Sequence, residues 1–220
     1  MLAVKNLSKQ YDRHGKPRTL FHDLSFQMGR TDRLAVLGRN GQGKSTLIKI
    51  LGGVLAPTSG EIRWGMRPSW PIGFSGGFQG GLTGVDNVRF IARIYDRPIG
   101  PTLERVERFA ELGDAMTMSV KHYSTGMRAR LAFGLSLAIE FDCYLIDEVI
   151  MVGDAPFAHK CQTELFGSRG DRAFIIASHN AHFLRENCNR AIIISEGRYE
   201  LFDNIDQALE QYDQICAIAS

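Results

Sequence analysis

The length, composition and charge of the chain exclude several classes of protein. With 220 residues, of which 44% are hydrophobic, it has enough material for one large or two small folded domains and does not resemble a disordered chain. A formal net charge of +2, without a long run of lysine and arginine, gives no reason to expect nucleic acid as a partner.

No segment of the sequence is suited to crossing a membrane or directing export. The N-terminus lacks a basic start followed by an apolar stretch, and no run approaches the roughly 18 apolar residues that span a bilayer. We therefore expect the chain to be neither exported nor inserted on its own. The four cysteines contain no Cys-x-x-Cys pair, which favours reduced structural thiols and the cytoplasm.

The N-terminal part of the chain predicts two half-buried strands. Residues 2–7 and 23–28 alternate between apolar and polar side chains, and residues 12–16 supply a polar turn between them. Tyr11 lies at the end of the first strand. Its ring could stack on an adenine base, although a strand-end tyrosine that merely covers the core is the alternative.

The stretch from Gly38 to Thr46 matches the phosphate-binding loop pattern, in which a Gly and four further residues precede Gly-Lys-Ser/Thr. Residues 33–37 before it predict a buried strand, and apolar residues at helical spacing after it predict a helix. Glycines allow several N–H groups to converge there, and the helix start adds a partial positive charge. Phosphate is therefore the expected ligand, with a chance Gly-rich turn as the alternative. The predicted nucleotide-binding residues of this loop are Gly38, Arg39, Asn40, Gly41, Gln42, Gly43, Lys44, Ser45 and Thr46.

Two residues of this loop have predicted chemical roles. Lys44 would neutralise oxygens of the β- and γ-phosphates, and the Ser45 hydroxyl would bind Mg²⁺.

A glycine-rich stretch and several helices follow. Glycines cluster between residues 65 and 100, around Gln79, which predicts a loop that must move or fit closely. Residues 86–95 and 101–112 then predict helices that interrupt a strand-rich plan, which indicates an inserted helical subdomain. A further helix starts directly after Ser124 and Gly126, which makes its N-terminus a second possible anion site.

Carboxylates follow the next apolar strand, at residues 141–146. Asp147 and Glu148 come directly after it, where adjacent carboxylates are costly unless they meet a cation or a proton. We assign Asp147 to Mg²⁺, directly or through water, and Glu148 to polarising the attacking water. A simple strand-end charge pair is the alternative. Asp154 follows in a turn.

The last part of the chain predicts a buried strand at residues 173–177, a hairpin at residues 190–202 and an amphipathic helix at residues 205–216. His179 follows the strand, where a ligand could reach it. The alternative is a histidine that merely precedes the start of a helix and has no catalytic role.

In their order and separations, these motifs resemble the nucleotide-binding subunits of ABC transporters, and the likeness covers essentially the whole chain. The resemblance implies an α/β fold: a phosphate-loop ATPase core with a mixed sheet flanked by helices, an N-terminal antiparallel β part and an inserted helical subdomain. It implies one nucleotide-binding domain over residues 1–220, with the helical subdomain at roughly 86–139. It also implies ATP and Mg²⁺ as cofactors.

The resemblance assigns roles to individual residues. Tyr11 would stack on adenine, the loop from Gly38 to Thr46 would be the Walker A loop, Asp147 and Glu148 the Walker B pair, Asp154 the D-loop aspartate and His179 the switch histidine. The predicted catalytic residues are Lys44, Gln79, Glu148 and His179, and the predicted Mg²⁺ ligands are Ser45, Gln79 and Asp147.

Two motifs depart from the family pattern. The signature Leu-Ser-Gly-Gly-Gln reads Tyr-Ser-Thr-Gly-Met here and keeps the phosphate-facing Ser124 and Gly126. Gln79 is assigned as the Q-loop glutamine, although its distance from Leu82 is shorter than the family spacing.

Short sequence motifs narrow the resemblance to one group within the family. Three motifs look like those of the polysaccharide-exporting ABC ATPases: Tyr-Ser-x-Gly-Met, Asp-Glu-Val-x-x-Val-Gly-Asp at residues 147–154, and Gly-Gly-Phe with Leu-Thr-Gly at residues 76–84. These ATPases export capsular polysaccharide, O-antigen or teichoic acid. Because the predicted helix ends four residues before Ser220, we expect no carbohydrate-binding β-domain to follow. We therefore expect lipid-linked capsular polysaccharide as the cargo.

The same resemblance implies partners and a location. A second copy would join head to tail around ATP, and integral membrane permease subunits would hold the protein at the cytoplasmic face of the bacterial inner membrane. Periplasmic or outer-membrane export components could be reached through the permease.

Two other functions compete with transport. A soluble ABC protein of translation or DNA repair usually carries two such modules or a long coiled insertion, for which 220 residues leave no room. A phosphate-loop kinase or GTPase would explain Lys44 and Asp147 but would give no role to Ser124 and His179.

Overall fold

The computed structural model describes residues 1–13, 16–72, 79–148 and 155–218. The chain divides into two compact units. The first unit comprises Met1–Pro71, Asp142–Glu148 and Asp171–Ser220, and the second comprises Ile72–Phe141 and Val149–Gly170. The short return at Asp142–Glu148 contributes a central strand to the first unit.

A six-stranded sheet forms the centre of the first unit. Its strands, in spatial order, are β5 (Pro68–Ile72), β6 (Cys143–Asp147), β7 (Ala173–Ala177), β3 (Arg33–Leu37), β8 (Arg190–Ser195) and β9 (Arg198–Phe202). Strands β6, β7, β3 and β8 pair in parallel, and β9 is antiparallel to β8. Since the parallel strands share one direction, the segments that follow β3, β6 and β7 all leave from the same edge of the sheet. In open α/β sheets ligands bind at that edge.

A separate antiparallel sheet holds three strands in the order β2 (Lys16–Met28), β1 (Leu2–Arg13) and β4 (Ser59–Trp64). The ladder of β1 and β2 runs from Leu2 opposite Met28 to Arg13 opposite Lys16, and register shifts interrupt it. Both strands are longer than the alternation pattern predicted.

Helices complete the first unit: α1 (Lys44–Leu51), α6 (Ala181–Asn187) and α7 (Ile205–Ile218). The buried side chains of α1, including Leu47, Ile48 and Leu51, join one core with apolar residues of both sheets. Strand β7 is buried at every position, so its sequence is a continuous apolar run, as expected for a central parallel strand.

The second unit is helical. Its helices are α2 (Gly84–Ile94), α3 (Ile99–Ala110), α4 (Thr125–Ala138) and α5 (Ala155–Gln162), followed by a π turn at Thr163–Gly167. Phe157 of α5 packs edge-on against Phe109 of α3 and Phe133 of α4. The guanidinium of Arg130 lies 4.5 Å from the centre of the Phe157 ring. These contacts give the unit its own aromatic core.

The predicted fold class is confirmed: a mixed sheet with helices, a separate N-terminal antiparallel sheet and a helical segment within the chain. The single domain over residues 1–220 with a helical subdomain at roughly 86–139 stays a prediction. Strand β5 was not expected, because it lies at the start of the stretch that composition predicted to be a loop. Among the described residues, no helix is both long and apolar enough to span a membrane.

Candidate nucleotide site

The loop from Gly38 to Thr46, called the phosphate loop below, connects β3 to α1. Two of its glycines are required by geometry. Gly43 has φ +108°, and a Cβ there would lie 3.1 Å from the Cβ of Leu20. Gly38 has φ +153°, and a Cβ there would lie 2.6 Å from the carbonyl oxygen of Ile194. Side chains at both positions would strain the backbone; one at Gly38 would also collide with β8, and one at Gly43 would crowd Leu20.

The start of α1 is open to an anion. The N-cap residue Gly43 has no side chain with which to cap the helix, and the first turn of α1 contains no acidic residue. The first N–H groups of a helix have no partner within the helix, and its dipole favours negative charge at this end. The structure therefore leaves donors at the position where the sequence predicted phosphate.

Lys44, the first residue of α1, is buried, with 8% of its surface exposed. Its Nζ donates to the carbonyl oxygens of Gly38, at 2.6 Å, and Arg39, at 3.4 Å. Burial lowers the pKa of Lys44, and the negative charges of Glu148 and Asp147 oppose that shift. The Lys44 side chain thus folds back onto the backbone of the phosphate loop.

Ser45 joins the loop to the end of β6. Its Oγ donates a hydrogen bond of 2.8 Å to Oδ1 of Asp147. Ser45 is exposed and Asp147 is half-buried, so both oxygens remain within reach of solvent. A hydroxyl and a carboxylate side by side are hard oxygen ligands of the kind that Mg²⁺ prefers.

Glu148 and His179 form an ion-pair contact at the ends of neighbouring strands. Nε2 of His179 lies 3.0 Å from Oε1 of Glu148. The backbone of Glu148 has φ +54°, a left-handed conformation that is uncommon outside glycine, and its N–H donates to the carbonyl oxygen of Ala177 at 2.8 Å. Strained backbone held by a strand hydrogen bond is typical of functional sites. The conformation also turns the chain immediately after Asp147, so that the two carboxylates have different neighbours.

Two cavities adjoin the phosphate loop. One, of about 160 Å³, is lined by Leu20, Asn40, Gly41, Gly43, Lys44, Ser45, Thr46 and Glu148. The other, of about 410 Å³, is lined by Arg39, Asn40, Gln42, His179 and Tyr212. Together, the two cavities are lined by Glu148, His179 and every predicted residue of the phosphate loop except Gly38. The carbonyl of Gly38 accepts the hydrogen bond from Lys44. Sequence reasoning missed Leu20 and Tyr212, because nothing local marks a strand or helix residue that reaches a distant loop.

Tyr11 lies on β1 directly opposite Arg18 of β2. Its side chain is partly exposed, at 41%, and Nζ of Lys9 lies 4.9 Å from the ring centre. Arg18 in turn donates from Nη2 to the carbonyl oxygen of Gly41 at 2.9 Å. Tyr11 therefore lies opposite a residue that contacts the phosphate loop, and its role beside an adenine base stays a prediction.

Ser124 and Gly126 lie at the start of α4 in the second unit. The Ser124 Oγ accepts a hydrogen bond from the N–H of Met127 at 3.2 Å, so it caps the helix. A Cβ on Gly126 would meet only the Ser124 Oγ, at 3.9 Å. Packing within the described residues therefore does not require a glycine at this position. A ligand that approached the backbone closely would require one.

Gln79, also in the second unit, is held through its backbone. Its N–H donates to Oδ1 of Asn87 at 2.8 Å, and its carbonyl accepts from Nδ2 of the same side chain at 3.1 Å. Asn87 is fully buried on α2. This clamp was not foreseen, since a single asparagine on a helix gives no signal of its partner. Asp154 lies outside the described residues, so its predicted role stays a prediction.

Comparison with known families agrees with these motifs. The family model described as "ABC transporter" matches residues 21–151. The chain is 50% identical to the capsule polysaccharide export ATP-binding protein CtrD of Neisseria meningitidis, over 98% of this chain and 100% of that protein. It is 42% identical to a polysialic acid transport ATP-binding protein, KpsT, of Escherichia coli, over 96% of each chain. It is 34% identical to the teichoic acids export ATP-binding protein TagH of Staphylococcus haemolyticus, over 87% of this chain and 74% of that one.

Solved structures share the fold. The ATP-binding subunit of an ABC transporter aligns with a TM-score of 0.80 at 23% identity, over 97% of this chain and 93% of that one. A dimeric ATP-binding cassette in a post-hydrolysis state, bound to ADP and Pi, aligns with a TM-score of 0.75 at 19% identity, over 91% and 97% of the two chains. The family resemblance inferred from the motifs is confirmed.

Proposed function

The chain belongs to the ABC transporter family, and on that premise we propose that it is the ATP-hydrolysing subunit of an exporter of lipid-linked capsular polysaccharide. The names of the relatives support this cargo. CtrD and KpsT, at 50% and 42% identity, are described as capsule polysaccharide and polysialic acid proteins, whereas the teichoic acid protein TagH has 34% identity.

The observation that carries the hydrolytic function is the meeting of two pairs at one sheet edge. Ser45 contacts Asp147 at 2.8 Å, and His179 contacts Glu148 at 3.0 Å. Asp147 ends β6, and it pairs with Ala177, which ends β7 two residues before His179. Neighbouring strands thus place a hydroxyl–carboxylate pair and a carboxylate–imidazole pair near each other, beside the phosphate loop, and this arrangement supports the proposal.

The residues have distinct roles in this proposal. The phosphate loop and Lys44 bind the phosphates, and Glu148 orients and polarises the attacking water while His179 contacts the γ-phosphate. Ser45 and Asp147 would hold Mg²⁺, with Gln79 as a further ligand, and the ion would offset phosphate charge. Because catalysis of phosphoryl transfer is mostly positioning and charge stabilisation, no covalent intermediate with the protein is needed.

A second copy would complete each site. Ser124 and Gly126 present a helix N-terminus whose glycine has no packing reason within its own unit. We propose that this segment of one copy closes over the phosphate loop of another, and Asp154 would lie at the same contact. The dimeric state of the cassette cited above is in keeping with this arrangement. Permease subunits would hold the dimer at the cytoplasmic face of the inner membrane.

The function can be tested in a strain that lacks this chain. We expect the strain to synthesise polysaccharide but retain it inside the cytoplasmic membrane, and the wild-type chain to restore surface polymer. Glu148→Gln should not restore it, whereas Glu186→Gln, an equivalent change at an exposed glutamate of α6, should. Normal surface polysaccharide in the deletion strain, together with loss of an unrelated solute from transport, would contradict the cargo.

A further inference from the structure

Arg18 occupies a position that neither the motifs nor the family roles assign. It is an exposed residue of β2, directly opposite Tyr11 in the β1–β2 ladder. Arg18 and Leu20, two residues apart on β2, both adjoin the phosphate loop: a Cβ at Gly41 would lie 3.3 Å from Nη2 of Arg18, and one at Gly43 would lie 3.1 Å from the Cβ of Leu20. Leu20 also lines the 160 Å³ cavity. Directly opposed residues of an antiparallel pair are neighbours, so Tyr11 lies next to a residue that reaches the loop.

The Arg18 guanidinium fixes one peptide of that loop. Its Nη2 donates to the Gly41 carbonyl at 2.9 Å, and the N–H at the other side of the same peptide, from Gln42, donates to the Arg39 carbonyl at 3.2 Å. Gly41 has φ +79°, so this part of the loop uses a conformation that only glycine adopts easily. Two hydrogen bonds on one peptide restrain the freedom that the glycine would otherwise keep.

Most of the guanidinium remains available to a ligand. The arginine side chain has five N–H donors, and in the part of the chain that the structure describes the Arg18 side chain makes one hydrogen bond, to Gly41. Arginine is always charged at physiological pH, and its planar fork suits phosphate oxygens. The chemistry at this position therefore matches the phosphate chain of a nucleotide whose base lies against Tyr11.

We propose that Arg18 is a nucleotide-binding residue that orders the phosphate loop through Gly41 and contributes its charge to the phosphate chain. This inference rests on the proposed ATPase function. It adds a binding group from the antiparallel sheet to the set supplied by the loop and the parallel sheet.

The test measures Mg-ATP affinity in four full-length proteins, each carrying Glu148→Gln to prevent turnover. The first has no further change, and the others carry Arg18→Gln, Arg18→Lys or Lys5→Gln. Lys5 is the matched control, because it is an exposed cation of the same sheet that lies opposite Glu61. We expect Arg18→Gln to weaken binding about tenfold, the size of one charge-assisted hydrogen bond, and Lys5→Gln to leave it unchanged.

Salt dependence separates the charge from the ordering of the loop. Binding by Arg18→Gln should depend less on ionic strength than binding by the parent, because one cation–phosphate contact is lost. Arg18→Lys keeps the charge but not the fork, so it should retain the parent's salt dependence with intermediate affinity. Equal affinity in the parent and in Arg18→Gln would overturn this inference alone. Failure of the parent to bind Mg-ATP would instead overturn the proposed ATPase function.

Discussion

Two aspartates at opposite ends of one buried strand have very different surroundings. Asp142 precedes β6, accepts a hydrogen bond from the backbone N–H of Arg67 at 2.8 Å, and has three guanidiniums within 4 Å, those of Arg30, Arg67 and Arg172. Asp147 ends the same strand, and among the described residues its carboxylate accepts one hydrogen bond, from Ser45. The first carboxylate is surrounded by arginines, whereas the second has a hydroxyl donor and the more distant charge of Lys44.

The difference shows how one residue type acquires two functions. Arginines and a backbone donor hold the pKa of Asp142 below its ordinary value, the backbone hydrogen bond from Arg67 being the main cause. Its charge stabilises the fold. At the other end of β6, Asp147 contacts the Ser45 hydroxyl, and Glu148 contacts His179 and lines the 160 Å³ cavity together with the buried Lys44, so both carboxylates lie where a ligand could reach them. Mutations at the two ends should therefore separate activity from stability.

We expect the largest effect on ATP hydrolysis from Glu148→Gln, at the end of β6 that carries Asp147. The amide keeps the size of the side chain but cannot accept a proton, so kcat should fall by about 10²- to 10⁴-fold. Binding of Mg-ATP should change little, because Lys44 and the phosphate loop are untouched. The trapped ATP should also hold two copies together. Single-turnover kinetics and light scattering measure these effects, and an equal loss of affinity and turnover would contradict the assigned role.

Asp147→Asn should have the next largest effect. Removing one oxygen charge beside Ser45 should raise the Mg²⁺ concentration needed for half-maximal hydrolysis by about 10- to 100-fold. Thermal unfolding should change little, since no arginine among the described residues forms an ion pair with Asp147. Asp142→Asn is the matched control, because it makes the same chemical change at the other end of β6. If both variants shift the Mg²⁺ requirement alike, the distinction between the two ends is wrong.

Asp142→Asn should instead reduce stability while the folded protein keeps its ATPase activity. The loss should be about 1.5 kcal/mol, the size of a hydrogen bond to a charged group, because the arginines around it are largely exposed and screened. Urea unfolding of the wild type and the variant at neutral pH measures this difference.

The same pair of proteins should show a defined pH dependence. The pKa of Asp142 is lower in the folded state than its ordinary value of 3.8, so the unfolded state binds more protons in the window between the two values. Its contribution to stability is complete above that ordinary value and is lost as the pH falls through the folded-state pKa. The difference between wild type and Asp142→Asn should therefore vanish in acid, and a constant difference across that range would contradict the role of the charge.

The sequence predicted the parts of the site that depend on local order along the chain. A phosphate loop after an apolar strand, Asp147 and Glu148 after another, and His179 after a third must meet once the strands are parallel neighbours. Contacts between distant segments gave no such signal. Arg18 reaches Gly41 across 23 residues, and Asn87 clamps the backbone of Gln79 from a helix.

Strand β5 was missed for a related reason. Its five residues include two prolines, Pro68 and Pro71, which argue against a strand, and it lies at the edge of the sheet where missing donors are tolerated. The side chain of Ser69 nevertheless accepts from the N–H of Leu145 in β6 at 2.9 Å. This contact between β5 and β6 joins segments that are far apart in the sequence, so it could be seen only in the structure.

The burial of the cysteines makes the native chain a convenient reporter of its own nucleotide site. Cys143, Cys161 and Cys188 are buried, and desolvation raises the pKa of each thiol to about 12, so they form little thiolate at neutral pH. Cys216 is less buried and lies on α7, the helix whose Tyr212 lines the cavity with Arg39 and His179. A maleimide fluorophore should therefore label Cys216 selectively, one helical turn from Tyr212, and its emission can follow nucleotide arrival at the loop without any engineered cysteine.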